Sequence, residues 1–147
     1  MPKLSAILLA GLCLLATTFG AAASDKVHRL ALQISDNDAD KMTAVLNVAT
    51  NVAQHYAAKG EDVEIRIVAF NAGLHMLRTD TSPVRERVEG FAKSMPNVAF
   101  NACGNTMVGM TRREGKPTPI VANATVVPAG AVTLIELSEA GWTIVRP

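Results

Sequence analysis

Three short runs, Val27–Ile34, Val63–Phe70 and Val98–Cys103, are mostly apolar, and each precedes a segment with a helical hydrophobic repeat. This constrains the fold more than any other feature of the chain. Such runs suit strands of a parallel sheet, covered on both faces by the helices that connect them. After the first run, Met42, Val45, Leu46, Ala49, Val52, Ala53 and Tyr56 recur at spacings of three and four. They form one face of a helix of about four turns, stopped by Lys59-Gly60. After the second run, Leu74–Leu77 allows a short helical turn. Ser82-Pro83 then predicts a helix start, with Ser82 as N-cap and Val84, Val88, Phe91 and Met95 as the buried face. After the third, Asn105–Arg113 reads as a short helix ended by Gly115, with Pro117 just beyond. Ile120-Val121 and Ala124–Val127 are weaker strand candidates. Ala129–Ala140 predicts a helix whose apolar face includes Val132, Ile135 and Leu137, and Trp142–Arg146 a last strand. This alternation predicts an α/β fold: a three-layer sandwich around a mainly parallel sheet of four to five strands.

The first residues have a different character. Lys3 supplies a positive start, Leu4–Phe19 is an almost unbroken apolar run, and Ala21-Ala22-Ala23 provides small residues where a signal peptidase cuts. The expectation is a signal peptide over residues 1–23, export to the periplasm, and one domain over residues 24–147. An uncleaved anchor is the competing reading, since Leu4–Ala23 just reaches bilayer length. No later run approaches that length, so no membrane association is expected after cleavage. Losing Lys3 with the leader brings the 14 basic residues level with the 13 acidic ones. With no basic stripe and few aromatics, a nucleic-acid partner is excluded.

In open α/β sheets ligands bind beyond the carboxyl ends of the strands. Asp36 and Asn37, Asn71 and Gly73, and Cys103, Gly104 and Asn105 follow the three apolar runs and are expected to share one rim. Cys103 is the only cysteine outside the leader, where Cys13 lies. At a helix N-terminus a thiol is pushed toward thiolate, the form that reacts. A free cysteine at a strand end is also a common small core residue, and position alone leaves both readings open. His75 follows the Asn71 turn and is a candidate to assist the thiol. Asp36-Asn-Asp38-Ala-Asp40 imitates part of a calcium loop. However, Lys41 stands where such a loop needs Gly, and Asn47 where it needs Glu, so helix capping is the better account. His28, His55 and His75 lack metal-ligand spacing, and no CxxC, Walker or GxGxxG motif is present. Neither a metal nor a cofactor is therefore expected. Asn123-Ala-Thr125 formally fits a glycosylation acceptor, a tripeptide that recurs by chance.

The chain resembles the DsrE/DsrF-like family, and most closely its secreted members. The segments that carry the resemblance are Val68-Ala-Phe-Asn-Ala-Gly73, Asn101-Ala-Cys-Gly-Asn105, Val126-Val-Pro-Ala-Gly130 and the ending Glu139-Ala-Gly-Trp-Thr-Ile-Val-Arg-Pro147. The resemblance implies a flavodoxin-like sandwich assembled as a homo-oligomer, a trimer or hexamer. It also implies a sulfurtransferase-like sulfur-relay role, in which Cys103 carries a persulfide between a sulfur donor protein and an acceptor protein. The alternative, from a different class, is a non-catalytic oligomeric module that binds a small ligand, with Cys103 merely packed.

Overall fold

The computed structural model describes residues 27–147; the leader expected over residues 1–23, with Cys13, lies outside them. The order of elements is β1 (His28–Ile34), α1 (Ala39–Ala58), β2 (Val63–Ala69), a 3-10 segment (Asn71–Leu77), α2 (Arg85–Ser94), β3 (Val98–Cys103), α3 (Gly104–Glu114), β4 (Ala124–Val127), α4 (Gly130–Glu139) and β5 (Thr143–Val145). The five strands form one sheet in the order β4-β3-β2-β1-β5, every pair parallel. All carboxyl ends therefore point to one edge, as the alternating pattern requires. No helix among the described residues is long and apolar enough to cross a membrane.

The strand order makes the two faces unequal. From β1 to β4 each crossover steps the same way, so right-handed connections lay their helices on one face. There Leu32, Ile65, Ile67 and Phe100 of the sheet pack against Met42, Leu46 and Ala49 of α1, Val88 and Phe91 of α2, and Met110 of α3. From β4 the chain steps back across the sheet to β5, and α4 crosses the opposite face. The core on that side is small: Ala31, Val68, Leu134, Leu137 and Trp142, flanked by Phe70 and Ile144. Where α4 ends, the sheet face turns polar. Arg66 covers the Trp142 ring, its guanidinium carbon 5.1 Å from the centroid, and Arg29 meets Glu64 at 3.6 Å.

Three local expectations change. The helix predicted to start at Ser82-Pro83 starts at Arg85; Ser82 Oγ does accept from the Val84 N–H at 3.3 Å, and its hydroxyl also donates to the Met76 carbonyl at 2.6 Å, closing the preceding turn. Of the predicted α4 face, Leu137 is buried but Val132 and Ile135 are 50% and 58% exposed, and Thr133 and Leu134 are buried in their place. With one helix on this face there is no neighbour to cover a wider stripe. Ile120-Val121 contributes a single antiparallel bridge, Ile120 with Arg78, rather than a strand. Asp38 does cap α1, its carboxylate accepting from the Lys41 N–H at 2.9 Å, so the acidic run is a helix start.

The 3-10 segment is held at both ends. At its start, a Cβ on Gly73 would fall 2.3 Å from the Ile34 carbonyl oxygen, so only glycine lets the segment cross the end of β1 this closely. At its end, Arg78 is buried and its guanidinium grips two carboxylates. It donates to Asp80 at 2.8 Å through both Nε and Nη2, and to Glu114 through Nη1 and Nη2. The second pair ties the segment to the last turn of α3. Asp80 is held down to about 2, chiefly by its hydrogen bonds to Arg78, and Glu114 is lowered by the same guanidinium.

Candidate functional site

The connections that leave β3 and β4 diverge: α3 turns onto one face of the sheet and α4 onto the other. A crevice opens outside the strands where neighbouring connections part in this way. Here it is a cavity of ≈ 580 Å³ lined by Asn71 and His75 of the 3-10 segment, Cys103 at the end of β3, Thr106 and Arg113 of α3, and Gly130 of α4. A larger cavity of ≈ 820 Å³ lies between α1 and α2 at the amino ends of the strands, and includes Thr50, Gln54, Met95 and Asn97. Glu61 and Asp62 also line it, but it holds no cysteine and lies at the opposite end of the strands from the edge where α/β sheets bind ligands, so the smaller crevice is the candidate site.

Cys103 is the last residue of β3 and the N-cap of α3 (φ −70°, ψ 113°). The strand fixes its Cα, and the helix that begins at once turns backbone N–H groups toward it. The start of α4 is brought alongside because the Asn105 N–H donates to the Pro128 carbonyl at 3.1 Å. Two helix N-termini thus converge on one sulfur. No conventional cap hydrogen bond joins the Cys103 side chain to the backbone, yet its pKa lies below the ordinary thiol value. Burial raises it. The Thr106 hydroxyl and the N–H groups of Gly130, Thr106 and Asn105, in that order, outweigh burial.

Thr106 matters most among the lowering groups, and its own orientation is fixed. The Asn71 N–H donates to Thr106 Oγ1 at 2.9 Å, which leaves the hydroxyl proton free for the sulfur. Asn71 reaches that position with φ +50°, the only positive φ outside glycine among the described residues. Asn tolerates the left-handed region better than other residues that carry a Cβ.

The structure brings together Cys103, Asn71, His75 and Asn105 in the crevice. His75 Nδ1 is paired with Thr81 Oγ1 at 2.7 Å, which leaves Nε2 as the nitrogen for any ligand. Four other expected rim residues fall outside the lining. Asp36 is held by Lys41 and Arg146, each at 2.8 Å, and its pKa is lowered by these two partners. Asn37 is exposed beyond it. Gly73 serves the close crossing of β1. Gly104 faces the chain itself: a Cβ there would lie 3.1 Å from the Val127 carbonyl oxygen, so what approaches it is β4 rather than a partner molecule. Cys103 itself is only 5% exposed. It forms part of the crevice wall.

Three site residues were not picked out from the sequence: Thr106, Arg113 and Gly130. The spacing of Thr106, three residues after an N-cap, was the available signal, since in capping boxes the N3 side chain reaches back to the N-cap residue. Arg113 and Gly130 become visible only once the strand order is known. Asn101 adds a further feature. It lies on the same sheet face as Cys103, is 4% exposed, and its Oδ1 has no hydrogen-bond partner among the described residues. No group of three or more His, Cys, Asp or Glu side chains suited to a metal occurs among the described residues.

No protein-family model matches this chain, and no curated protein matches it. Among solved structures it is similar to MTH1491 from Methanobacterium thermoautotrophicum, a protein of unknown function. The two share 26% sequence identity with a TM-score of 0.68, over 82% of this chain and 99% of that one. The likeness agrees with the α/β fold. What the crevice does must be argued from its own residues.

Proposed function

We propose that this protein is a sulfur carrier that handles sulfane sulfur on Cys103, in the manner of the DsrE/DsrF-like family it resembles. The observation that supports this best is the convergence of the α3 and α4 N-termini and the Thr106 hydroxyl on a single buried sulfur. These groups raise the share of thiolate over that of an ordinary cysteine, and thiolate is the nucleophile in sulfur exchange. In the proposed first step the Cys103 thiolate attacks the sulfane sulfur of a donor. A new S–S bond forms at Cys103, the donor's S–S bond breaks, and its electron pair leaves with the outgoing group. In the second step an acceptor thiolate attacks the outer sulfur of the persulfide and returns Cys103 as thiolate. Each step exchanges one S–S bond for another, so no external oxidant or reductant enters. No second thiol lies within residues 24–147 to resolve the persulfide, which suits a carrier awaiting an external acceptor.

The proposal extends to location and assembly. We read residues 1–23 as a leader that directs the domain to the periplasm, and the domain as a homo-oligomer of trimer or hexamer size. Val126 on the open β4 edge, and Val132 and Ile135 on α4, are more than half or just half exposed, which supports self-association. The second reading, a ligand-binding module with a packed cysteine, is favoured by the 5% exposure of Cys103.

Alkylation of the folded protein across pH, followed by mass measurement after incubation with a sulfane-sulfur donor, decides between them. The carrier reading expects reaction in the folded state with a midpoint below that of the unfolded protein, and a mass gain of one sulfur that a thiol acceptor removes. A thiol that alkylates only on unfolding and takes up no sulfur leaves the binding-module reading.

A further inference from the structure

The crevice carries an unbalanced charge. Of the residues that line it, only Cys103, His75 and Arg113 are ionisable, and no carboxylate is among them. Arg113 is exposed, and no carboxylate among the described residues comes within salt-bridge distance of it. Its neighbour Glu114 is taken by Arg78. The direction of the Arg113 side chain is also informative. Its Nη1 lies 3.8 Å from the point a Cβ on Gly109 would occupy, so the guanidinium turns back along α3, over a bare turn, toward the Cys103 end of the helix. A free guanidinium on a wall without acidic residues, in the same crevice as two helix N-termini, favours negative charge there.

Resting on the reading of Cys103 as a reacting thiol, we infer that this crevice selects anionic reaction partners, with Arg113 as the specificity-determining residue. The ligand class is a small molecule, or the tip of a partner, that places a negative group next to the atom Cys103 attacks. The chemistry of the exchange fits. The outgoing group departs with the electron pair of the broken bond, so it leaves more negative than it arrived, and Arg113 is placed to offset that charge.

The test compares two alkylating reagents of similar size, anionic iodoacetate and neutral iodoacetamide, on the mature protein, in which Cys103 is the one thiol. The ratio of their rate constants on a given protein cancels the fraction of thiolate and isolates the effect of reagent charge. The ratio in the folded protein is expected to exceed that of the same chain unfolded in urea, and to shrink as salt is raised. Arg113→Gln should lower it roughly threefold, about the effect of one unit charge acting over several ångströms of largely aqueous surroundings. Arg113→Lys should keep most of it, and Arg112→Gln, on the same helix but outside the crevice lining, should leave it unchanged. A wild-type ratio no higher than that of the unfolded chain, an unaltered ratio in Arg113→Gln, or a folded thiol that neither reagent reaches would each overturn the inference. Sulfur loading plays no part in this measurement, so a failed carrier reading and a failed charge preference give separate results.

Discussion

Replacing Thr106 with valine probes the heart of the site, because it removes one hydroxyl and keeps the shape. Oγ1 accepts from the Asn71 N–H at 2.9 Å and is left to donate to Cys103. The substitution has two separable consequences. The thiolate loses a hydrogen bond to a charged acceptor, worth about 1.5–3 kcal/mol. That corresponds to a roughly ten- to hundredfold smaller fraction of thiolate below its midpoint. The Asn71 N–H loses its acceptor as well, but this bond is exposed. Water replaces it, so folding stability should fall by less than about 1 kcal/mol. The assay is the pH dependence of alkylation by iodoacetamide, whose neutrality keeps Arg113 out of the comparison. The midpoint is the quantity to read, because a more basic thiolate is also a better nucleophile and the rate at one pH would understate the change. Thr106→Val should move the midpoint to higher pH with little change in thermal stability, and Thr106→Ser should restore it. An unmoved midpoint, or a serine variant displaced as far as the valine one, would refute the assignment of Thr106 to the sulfur.

Other outcomes test the scaffold. Gly73→Ala drives a Cβ to 2.3 Å from a backbone oxygen that cannot swing aside; calorimetry should show a loss of about 1–3 kcal/mol or more, with Cys103 reactivity altered through the displaced Asn71. Arg78→Met leaves Glu114 without its cation and Asp80 with only Lys116, 3.7 Å away; since both carboxylates are 30% exposed and can rehydrate, denaturant unfolding should show a loss well short of the roughly 3–5 kcal/mol of a broken buried pair. Because Asp80 and Glu114 are held below the ordinary carboxylate range, their contribution is complete above about pH 5 and is lost as pH falls toward 2; Arg78→Met should flatten that acid dependence of the melting temperature. Ile135→Glu, at a position 58% exposed on α4, should leave the melting temperature nearly unchanged and reduce the assembly seen by sedimentation; a wild-type monomer would remove the oligomer proposal.

Much of this arrangement was legible in the residues because local signals and tertiary demands agree. The apolar runs mark β1, β2 and β3 within a residue of their observed ends. The α1 face read from Met42 to Ala53 is the buried one, with Val52 and Tyr56 at its margin. Most of the expectations that failed turn on tertiary neighbours. Val132 and Ile135 satisfy helical periodicity, but periodicity does not tell whether a second helix will arrive to cover them. Ser82 does accept from the Val84 N–H as a cap would, but its hydroxyl also ties it back to Met76 in a turn, and the helix begins only at Arg85. Asp36 sits at a strand end as the rim argument requires. Its partner Arg146 comes from the far end of the chain, and this pairing depends on β5 lying beside β1. The failures at α4 and at Asp36 depend on which elements lie side by side, where strand order decides and pattern is silent; the Ser82 contact is local, six residues apart.

Strand order also explains why the site lies at β3 and not at the equally apolar β2. All three early strands end in a polar turn, but only after β3 do the neighbouring connections part to opposite faces. Asn71 follows β2, and the 3-10 segment it opens stays on the same face as α1 and α2 and packs into their core through Leu74, Met76 and Leu77. Cys103 follows β3, and its neighbour β4 sends α4 to the other side. A thiol after β2 would face one helix-side layer and the crossing at Gly73; after β3 it faces two helix starts. The convergence that depresses the Cys103 pKa is thus produced by the step back from β4 to β5, and the short α4 that makes this step both completes the site and leaves its own outer face bare. A chain with the same strands and the same cysteine, but with β5 added beyond β4, would carry α4 on the crowded face, close the crevice and return Cys103 to an ordinary core position.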